Sequence, residues 1–455
     1  MKRLIGWLAA AAAALQLCAC ATAPSAAVGG TGADVGPAAA DSHNMEIIGR
    51  SDLNGAGKAG EGMALKQYPD GRRVLFIAHE SGPLCVTVLD VTRPRQPTVI
   101  VQVPAEDPAL RCNSLGLSGD ILAVAHETRQ MNKPHGGMNV YDVHDPAKPV
   151  LLSYFDTTGR YSGGAHYVWF ADGRYAYLTT GAADFEPKHP ATHNYPDNDI
   201  QFMMIVDLQD PRHPKEVGRW WFPGARKGDP EPAPPREKIA AQDTGFRPHS
   251  IIVLPQRPDR AYVGWIDGGF VILDISDKAH PRLVSNRGWQ SAGKGFAHTL
   301  LPLFDRGIAI QSEESVRDNC QDWPKRDWIW DIRNEKDPYP LAPLPPPKNL
   351  KELCAAGGRF GAHNINMNRP SATEKTLTKT VVGSFFNGGV RIYSIADPDH
   401  PEEIGYMVPK APPGNATKTI QINDIYVDEK GIIYADDRLS GGLYVMQYTG
   451  SVPLE

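Results

Sequence analysis

The chain has 455 residues, with 47 Lys and Arg against 52 Asp and Glu, and 41% of its residues are hydrophobic. This near balance of charge, without a basic patch interleaved with aromatic residues, argues against a nucleic-acid-binding protein. Glycine (44) and proline (40) are frequent and spread along the chain, which is typical of many turns and few long helices. The length allows about three average domains or one long repeat architecture.

The N-terminus has the pattern of an export signal. Two basic residues at positions 2 and 3 precede an Ala-rich apolar run over residues 4–17, which is too short for a permanent membrane helix. The run ends in Leu17-Cys18-Ala19-Cys20, which resembles the bacterial lipobox and predicts a mature chain that begins at lipidated Cys20. Cys18 is the weaker choice because Leu17 would occupy the cleavage position. An ordinary secretory signal is the alternative.

Residues 1–20 are therefore expected to be a lipoprotein signal peptide, and residues 21–44, rich in Ala, Gly, Pro and Ser, a flexible tether. This predicts a periplasm-facing lipoprotein of the bacterial cell envelope that contacts the membrane only through its lipid anchor. Cysteine use agrees with export, because an even number of cysteines in an oxidising compartment predicts disulfides. The four cysteines beyond the signal allow three pairings, and their order favours Cys85–Cys112 and Cys320–Cys354.

One pattern recurs from residue 86 onward: an apolar strand, an Asp, a turn with Pro, and a second apolar strand. Examples are VTVLDVTRPRQPTVI from Val86 and FVILDISDKAHPRLV from Phe270. Alternating apolar residues predict half-buried strands, and the Asp and Pro predict the turn of a β-hairpin. The aligned positions, spaced by about 50 to about 70 residues as propeller blades are, are Asp90, Asp142, Asp207, Asp274, Asp331 and Ser394.

Two more strand-like runs precede each hairpin, so each unit has four strands, as a propeller blade does. Such units must stack around an axis because none can bury its faces alone. The last unit lacks an outer strand, and Met45–Arg50 matches the outer strands of other units. We therefore predict an all-β fold, a seven-bladed β-propeller over residues 45–455 that is closed by an N-terminal strand in the last blade. A pair of β-sandwiches is the alternative, but six hairpins in one register argue against it.

These hairpins resemble the LVIVD-repeat family, which is named for a hairpin of this kind. The resemblance covers roughly residues 45–450 and is specific to the fold, because one propeller scaffold supports many activities. It implies a β-propeller, and it implies no particular reaction.

Four histidines share one position when the units are aligned on their innermost strands. Inner strands of a propeller surround its axis, so side chains at this position are expected to converge. Neutral imidazole nitrogens there would bind one transition-metal ion, Fe, Cu, Zn or Mn. A polar, water-filled channel and a pocket for an anion are the alternatives. The histidines are His166, His249, His298 and His363, and the remaining units have Met63, Asn113 and Asn423 at the same position.

Carboxylates lie at the end of the second strand in several units, and this strand returns to the same face of the propeller. Glu80, Glu127 and Glu313 are expected either to orient metal-bound imidazoles or to act as a general base. For the aspartates at this level, ordinary turn chemistry is the alternative.

Four inner-strand histidines in a propeller are similar to the layout of two known groups. Carotenoid-cleaving oxygenases hold Fe(II) in this way, with glutamates behind the ligands. Selenium-binding proteins, which include methanethiol oxidases, are also propellers with histidine-bound metal. The resemblance is one of position and does not extend to long sequence motifs.

Two functions from different classes are consistent with these features. The first is a metalloenzyme, an oxygenase, oxidase or hydrolase, that acts on a small aromatic or lactone-like molecule. The second is a non-catalytic propeller that presents a surface to a protein or polysaccharide in the cell envelope. The register of the four histidines favours the first, while the sequence lacks the G-x-S-x-G, P-loop and H-E-x-x-H motifs of known catalytic sites. We expect a monomer without a nucleic-acid partner.

Overall fold

The computed structural model describes residues 39–128, 131–188, 199–234, 245–288, 296–415 and 417–455. The expected signal peptide with Cys20, and the expected tether as far as residue 38, lie outside the described residues. Within the described part, regular structure is almost entirely strand, with one short α-helix, α1 (Leu350–Ala356), and single 3₁₀ turns at Leu53–Gly55, Ile266–Gly268 and Phe304–Arg306. No helix in these ranges is long and apolar enough to cross a membrane.

The strands follow one another in groups that are mostly of four. Two strands come first, β1 (Ala39–His43) and β2 (Met45–Ser51). They are followed by β3 (Ala59–Gln67), β4 (Arg73–His79), β5 (Leu84–Asp90) and β6 (Thr98–Pro104), then β7 (Leu110–Ser118), β8 (Ile121–Thr128), β9 (Gly137–Asp142) and β10 (Val150–Asp156). The next groups are β11 (Ala165–Phe170), β12 (Tyr175–Thr180), β13 (Phe202–Asp207) and β14 (Lys215–Trp220), then β15 (Pro248–Ile252), β16 (Arg260–Trp265), β17 (Gly269–Asp274) and β18 (Arg282–Arg287). The last are β19 (Ala297–Leu303), β20 (Ile308–Glu313), β21 (Asp327–Asp331) and β22 (Tyr339–Pro343), then β23 (Thr380–Ser384), β24 (Val390–Ser394) and β25 (Glu402–Pro409), and finally β26 (Ile422–Val427), β27 (Ile432–Asp437) and β28 (Gly442–Tyr448).

Each group is an antiparallel meander in which consecutive strands pair. The groups β3–β6 and β7–β10 are joined by the single residue pair His79 and Cys112, and so form one eight-stranded sheet. The first strands of the groups are neighbours: β11 lies beside β7 and β15, β15 beside β19, and β26 beside β3 and β23. Meanders with adjacent first strands define an all-β fold of the β-propeller type.

Apolar side chains between successive sheets form the core. Phe270 on β17 meets Trp330 on β21 edge to face, with ring centroids 4.7 Å apart. Trp220 on β14 and Trp265 on β16 make a similar contact at 5.2 Å. Because the middle strands are covered on both faces, a run such as that of β17 is apolar at consecutive positions and not only at alternate ones.

The repeated Asp fixes the turn between the third and fourth strands of a group. Asp274 Oδ1 accepts a hydrogen bond from the Ser276 amide at 2.9 Å, and Asp277 Oδ1 accepts one from the Ala279 amide at 3.0 Å. Bonds of this kind from a side chain to the backbone two residues on stabilise turns. The residues equivalent to Asp274 that make the same bond are Asp90, Asp142, Asp207 and Asp331.

Two strands near the N-terminus pair with the last two groups. β2 pairs antiparallel with β28 over its whole length. β1 pairs with β25, with His43 opposite Tyr406. This pairing differs from the expectation that residues 21–44 are a tether throughout. The Tyr406 hydroxyl donates a hydrogen bond to the Asp41 carboxylate at 3.2 Å, and the pairing covers the edge of β25.

The inner strand expected to begin at His363 is replaced by irregular backbone, which forms only an isolated bridge with β23. Asparagine side chains form hydrogen bonds with the backbone here. The side-chain amide of Asn364 donates to the carbonyl oxygen of Asn423 at 3.1 Å, and Oδ1 of Asn366 accepts from the backbone N–H of Val427 at 2.9 Å. Since these side chains compete with the ladder of backbone bonds, a regular strand does not form.

Both disulfides favoured by the order of the cysteines are confirmed. Cys85 on β5 is bonded to Cys112 on β7, which links the first two strand groups. Cys320, which follows β20, is bonded to Cys354 in α1. The second bond ties the loop after β20 to the segment before β23.

We expect Ile47→Ala to lower the free energy of unfolding by about 2–5 kcal/mol, because Ile47 is buried in the apolar cluster under β2 and its truncation leaves a cavity. Chemical denaturation measures this change. The control Glu46→Ala alters the exposed neighbour and should stay within about 0.5 kcal/mol of wild type. Equal stability of the two variants would contradict a packed β2.

Candidate metal centre

Three of the four aligned histidines lie at irregularities near the start of an inner strand. The pairing register shifts at these positions where β11 meets β12, β15 meets β16 and β19 meets β20. A bulge re-aims the side chain of the residue that it leaves unpaired. The gaps contain His166 in β11, His249 and Ser250 in β15, and His298 in β19.

The four histidines converge. Nε2 of His166 lies 2.9 Å from Nε2 of His249. The ring centroid of His249 is 3.7 Å from that of His298, which in turn is 4.7 Å from that of His363. All four residues are buried, with exposed fractions between 0% and 6%. The shared register of the inner strands therefore brings the imidazoles into one cluster.

Glu61 is a fifth member of the cluster, and the alignment of units did not reveal it. Its carboxylate oxygens lie 3.5 Å from Nε2 of His249, 3.5 Å from Nε2 of His298 and 3.7 Å from Nε2 of His363. Glu61 forms two groups of three that are each close enough together to hold an ion, one with His298 and His363 and one with His166 and His249. β3 has the same kind of register shift as the other inner strands, so Glu61, and not Met63, occupies the position facing the histidines.

Glycines on both sides hold Glu61 in place. A Cβ atom at Gly60 would lie 2.6 Å from the carbonyl oxygen of Asn113, and one at Gly62 would lie 2.4 Å from the nitrogen of Leu115. β3 therefore approaches the backbone of β7 too closely for any side chain at these two positions. The Gly-Glu-Gly sequence is the signal from which this carboxylate could have been found.

Hydrogen bonds locate a proton on two of the histidines. Nδ1 of His363 lies 2.7 Å from the Asn423 carbonyl oxygen, which can only accept, so in the neutral ring Nδ1 carries the proton and Nε2 a lone pair. Nδ1 of His166 lies 2.8 Å from the Glu127 carboxylate and carries a proton for the same reason. The lone pair of His363 faces the carboxylate of Glu61 at 3.7 Å. Within the described residues, His363 Nε2, His298 Nε2 and one oxygen of Glu61 are buried without a hydrogen-bond partner.

Burial shifts the pKa of the carboxyl group and the pKa values of the imidazoles in the cluster in opposite directions. Burial raises the pKa of Glu61, but the approach of His298 at 3.5 Å and the other histidines outweigh it, so the pKa of Glu61 lies well below its usual value. Burial lowers the pKa of both His249 and His363 well below the usual value for histidine. These directions favour an ionised Glu61 and neutral His249 and His363, and carboxylates and neutral imidazoles are donors that transition metals bind.

Glu127, one of the three predicted carboxylates, contacts the cluster directly through His166. Its Oε2 accepts hydrogen bonds from His166 Nδ1 at 2.8 Å and from Arg111 at 2.9 Å, and its Oε1 accepts one from Gln201 at 3.1 Å. Burial raises the pKa of Glu127, but His166 and the nearby arginines lower it far more, which keeps it a carboxylate. Such a partner fixes the orientation of the imidazole.

The other two predicted carboxylates are placed differently. Glu80 forms ion pairs with two arginines, and in the described part of the chain no hydrogen bond or ion pair joins Glu80 or Glu313 to the four histidines. Glu314, the neighbour of Glu313, lies with Oε1 3.8 Å from Nε2 of His363. Successive residues of an extended chain point to opposite faces, so only one of two adjacent glutamates can approach the cluster.

Comparisons with known proteins agree with the fold. The sequence profile of the LVIVD repeat matches residues 259–287, a stretch that contains β17 and β18. The chain is similar to the β-propeller domain of Cps50 (Swd1) from Myceliophteria thermophila, with 14% identity, a TM-score of 0.51 and coverage of 89% of this chain and 99% of that one. No curated protein matches the sequence.

Two further solved structures have names that include an activity. The periplasmic gluconolactonase PpgL of Pseudomonas aeruginosa is 11% identical, with a TM-score of 0.50 and coverage of 86% of this chain and 99% of that one. A putative 6-phosphogluconolactonase of Bacteroides uniformis is also 11% identical, with a TM-score of 0.50 and coverage of 86% and 97%. At these identities the similarity establishes the β-propeller fold alone.

Glu313 gives a prediction about pH. Burial raises its pKa to about 8, against the lowering effect of Lys325, so the folded protein favours the protonated carboxyl. The stability that this group contributes is present below its ordinary pKa of 4.5 and is lost as the pH rises to about 8. From pH 5 to pH 8, the free energy of unfolding of wild-type protein should therefore fall by about 2–4 kcal/mol more than that of Glu313→Gln, which has no carboxyl group at this position.

Denaturation at several pH values measures the difference. Glu46→Gln, which alters an exposed glutamate, is the control and should follow the wild-type curve. If the curve of Glu313→Gln also runs parallel to that of wild type, the buried carboxyl does not have a raised pKa.

Proposed function

We propose that the protein is a metalloenzyme of β-propeller fold that binds one transition-metal ion and acts on a small molecule. The observation that carries the proposal is that the lone pair of His363 and the carboxylate of Glu61 meet at a buried place, where two acceptors repel one another unless a cation lies between them. Two nitrogens bound to one ion at about 2.1 Å and at right angles lie about 3 Å apart, close to the 2.9 Å between His166 and His249. The proposed ligands are Glu61, His166, His249, His298 and His363.

A mixed set of imidazole and carboxylate ligands suits Fe, Zn, Mn or Cu. Such an ion supplies Lewis acidity or redox capacity to a bound small molecule. Glu127 holds the imidazole of His166 from behind, and Glu314 is the carboxylate placed beside the cluster to accept a proton. The similarity of layout to carotenoid-cleaving oxygenases and selenium-binding proteins extends only to the histidines in this proposal.

Three reaction classes were expected, hydrolysis, oxidation and oxygenation. The fold neighbours named as gluconolactonases support hydrolysis of a lactone as the first activity to assay. Support from fold neighbours is general, because one propeller scaffold hosts many reactions.

We also infer that the strand groups are the seven blades of one propeller and that β2 closes the ring. Two contacts support this: β26 lies beside β3, and β2 adds the outer strand to the sheet of β26, β27 and β28. Closure would fix the inner strands relative to one another. It would therefore set the spacing of the ligands that β3, β11, β15 and β19 contribute.

We further propose that the protein is exported and lipid-anchored at Cys20. The two disulfides support export, since structural disulfides persist in oxidising compartments. Expression of the full chain in a bacterium with labelled palmitate should give labelled, membrane-associated protein. Cys20→Ser should lose the label, whereas the control Cys18→Ser should keep it. Wild-type protein without label, or loss of label in Cys18→Ser alone, would contradict the assignment.

The metal proposal predicts about one transition-metal ion per chain in elemental analysis of the purified protein. His249→Ala and His298→Ala should each reduce metal affinity by more than about tenfold, because each removes a residue that binds the ion directly. Loss of a residue that only hydrogen-bonds to a ligand already costs about tenfold. Thermal melting of each variant shows whether it has folded.

His213→Ala and His280→Ala are matched controls, because these histidines are exposed in hairpin turns and are held by aspartates at 2.8 and 2.9 Å. Both controls should keep the wild-type metal content. A wild-type protein that binds no metal under any loading condition would overturn the proposal, as would an equal loss of metal in the control variants.

A further inference from the structure

Four arginines surround the end of the sheets at which the histidines lie. Arg111 is on β7, Arg247 directly precedes β15, Arg438 directly follows β27, and Arg359 precedes His363. The first strand of a meander begins at the end where the second strand stops, so these positions share one end of the fold. The sequence gives no motif for them because they come from four separate strand groups.

A chain of polar contacts joins these arginines to the cluster. Glu80 pairs with both Arg438 and Arg111, the latter at 3.3 Å, and Arg111 also pairs with Glu127 at 2.9 Å. Because Glu127 also holds His166, one carboxylate lies between the guanidinium groups and a histidine of the cluster.

Arg247 and Arg359 reach the cluster by separate routes. Arg247 donates to Gln201 at 2.8 Å, and Gln201 donates to Glu127 at 3.1 Å. Arg359 pairs at 3.0 Å with Glu314, the carboxylate near His363.

The four arginines differ in their acceptors. Arg111, Arg359 and Arg438 pair with the carboxylates of Glu80, Glu127 and Glu314, whereas Arg247 donates to the side-chain oxygen of Gln201. In the described residues, Nε of Arg247 and one terminal nitrogen of Arg438 are buried and donate no hydrogen bond. A buried donor without an acceptor is costly, so an additional acceptor is expected here.

Exposure rises from the histidines toward the arginines. The side chains of His298 and His363 are 0% exposed, whereas those of Arg111, Arg438 and Arg359 are 14%, 13% and 27% exposed. The arginines thus lie between the buried cluster and solvent. A molecule that enters from this end meets guanidinium groups before it reaches the histidines.

One aromatic ring connects the two layers. The guanidinium carbons of Arg359 and Arg438 lie 5.5 and 5.6 Å from the ring centroid of Phe386, and this ring stacks on His363 with centroids 4.6 Å apart. The two layers are therefore adjacent, within the reach of one small molecule.

We propose that these four arginines, which we call the arginine layer, bind an anionic group of the substrate, a carboxylate or a phosphate. The proposal rests on the proposed metal centre for the position of the reacting part of the molecule. Guanidinium groups bind both anions through paired N–H donors, and here Arg247 and Arg438 each have a buried donor without an acceptor in the described residues. Their charge would also attract an anionic substrate to this end of the propeller.

Calorimetric titration of the full-length protein tests the proposal, with and without added metal. The probes are phenyl phosphate and benzoate, and benzamide serves as the neutral analogue. At low salt, wild-type protein should bind at least one of the anions and should not bind benzamide, and the stronger of the two anions identifies the group. Arg247→Gln and Arg438→Gln should each weaken that binding about tenfold or more, and Arg247→Lys less, because it keeps the charge. The control Arg212→Gln removes an exposed arginine in a hairpin turn and should bind like wild type.

The outcomes separate this inference from the metal proposal. Metal content is measured on the same variants and should stay at the wild-type value in Arg247→Gln. Absence of anion binding in wild type, or unchanged binding in both Arg247→Gln and Arg438→Gln, would overturn the arginine layer as an anion site. If the wild-type protein takes up no metal but binds an anion, and the two variants lose that binding, the anion site is supported and the metal centre is refuted.

Discussion

The site depends on how closely the inner strands pack around one place. Bulges in β3, β11, β15 and β19 take their unpaired residues out of the strand ladder, and Gly60 and Gly62 let β3 lie against the backbone of β7. The result is a carboxylate and four imidazoles in a buried space, with the lone pair of His363 fixed by the hydrogen bond that its Nδ1 donates. Acceptors brought together away from water repel one another, and a bound cation removes that repulsion.

Electrostatics organises the region in two layers. The inner layer is a set of acceptors that favours a cation, and the outer layer is a set of guanidinium donors that favours an anion. Glu127 contacts both, since the same oxygen accepts from His166 and from Arg111. This carboxylate therefore joins the two layers, and a substrate with an anionic group beside a polarisable centre would match both.

The register of the repeats explains what the sequence could and could not predict. The hairpins and the convergence of the four histidines follow from spacing that each unit repeats, whereas the disulfides follow from the order of the cysteines in the chain. Glu61 was missed because a bulge adds residues to β3, which moves Met63 out of the aligned position. Glu313 was chosen over Glu314 because spacing does not say which face of an extended chain points inward. Ala39–His43 was expected to be tether because of its composition, and its pairing partner, β25, lies more than 350 residues away in the chain.

The central claim is that one ion binds between Glu61 and the four histidines, and anomalous X-ray diffraction from crystals of metal-loaded protein tests it most directly. Data collected on both sides of the absorption edge of the metal should show one strong peak, roughly 2.0–2.2 Å from the histidine Nε2 atoms. The identity of the edge would name the metal. A cluster without any anomalous peak, in crystals whose exposed histidines such as His213 have bound the metal, would contradict the account.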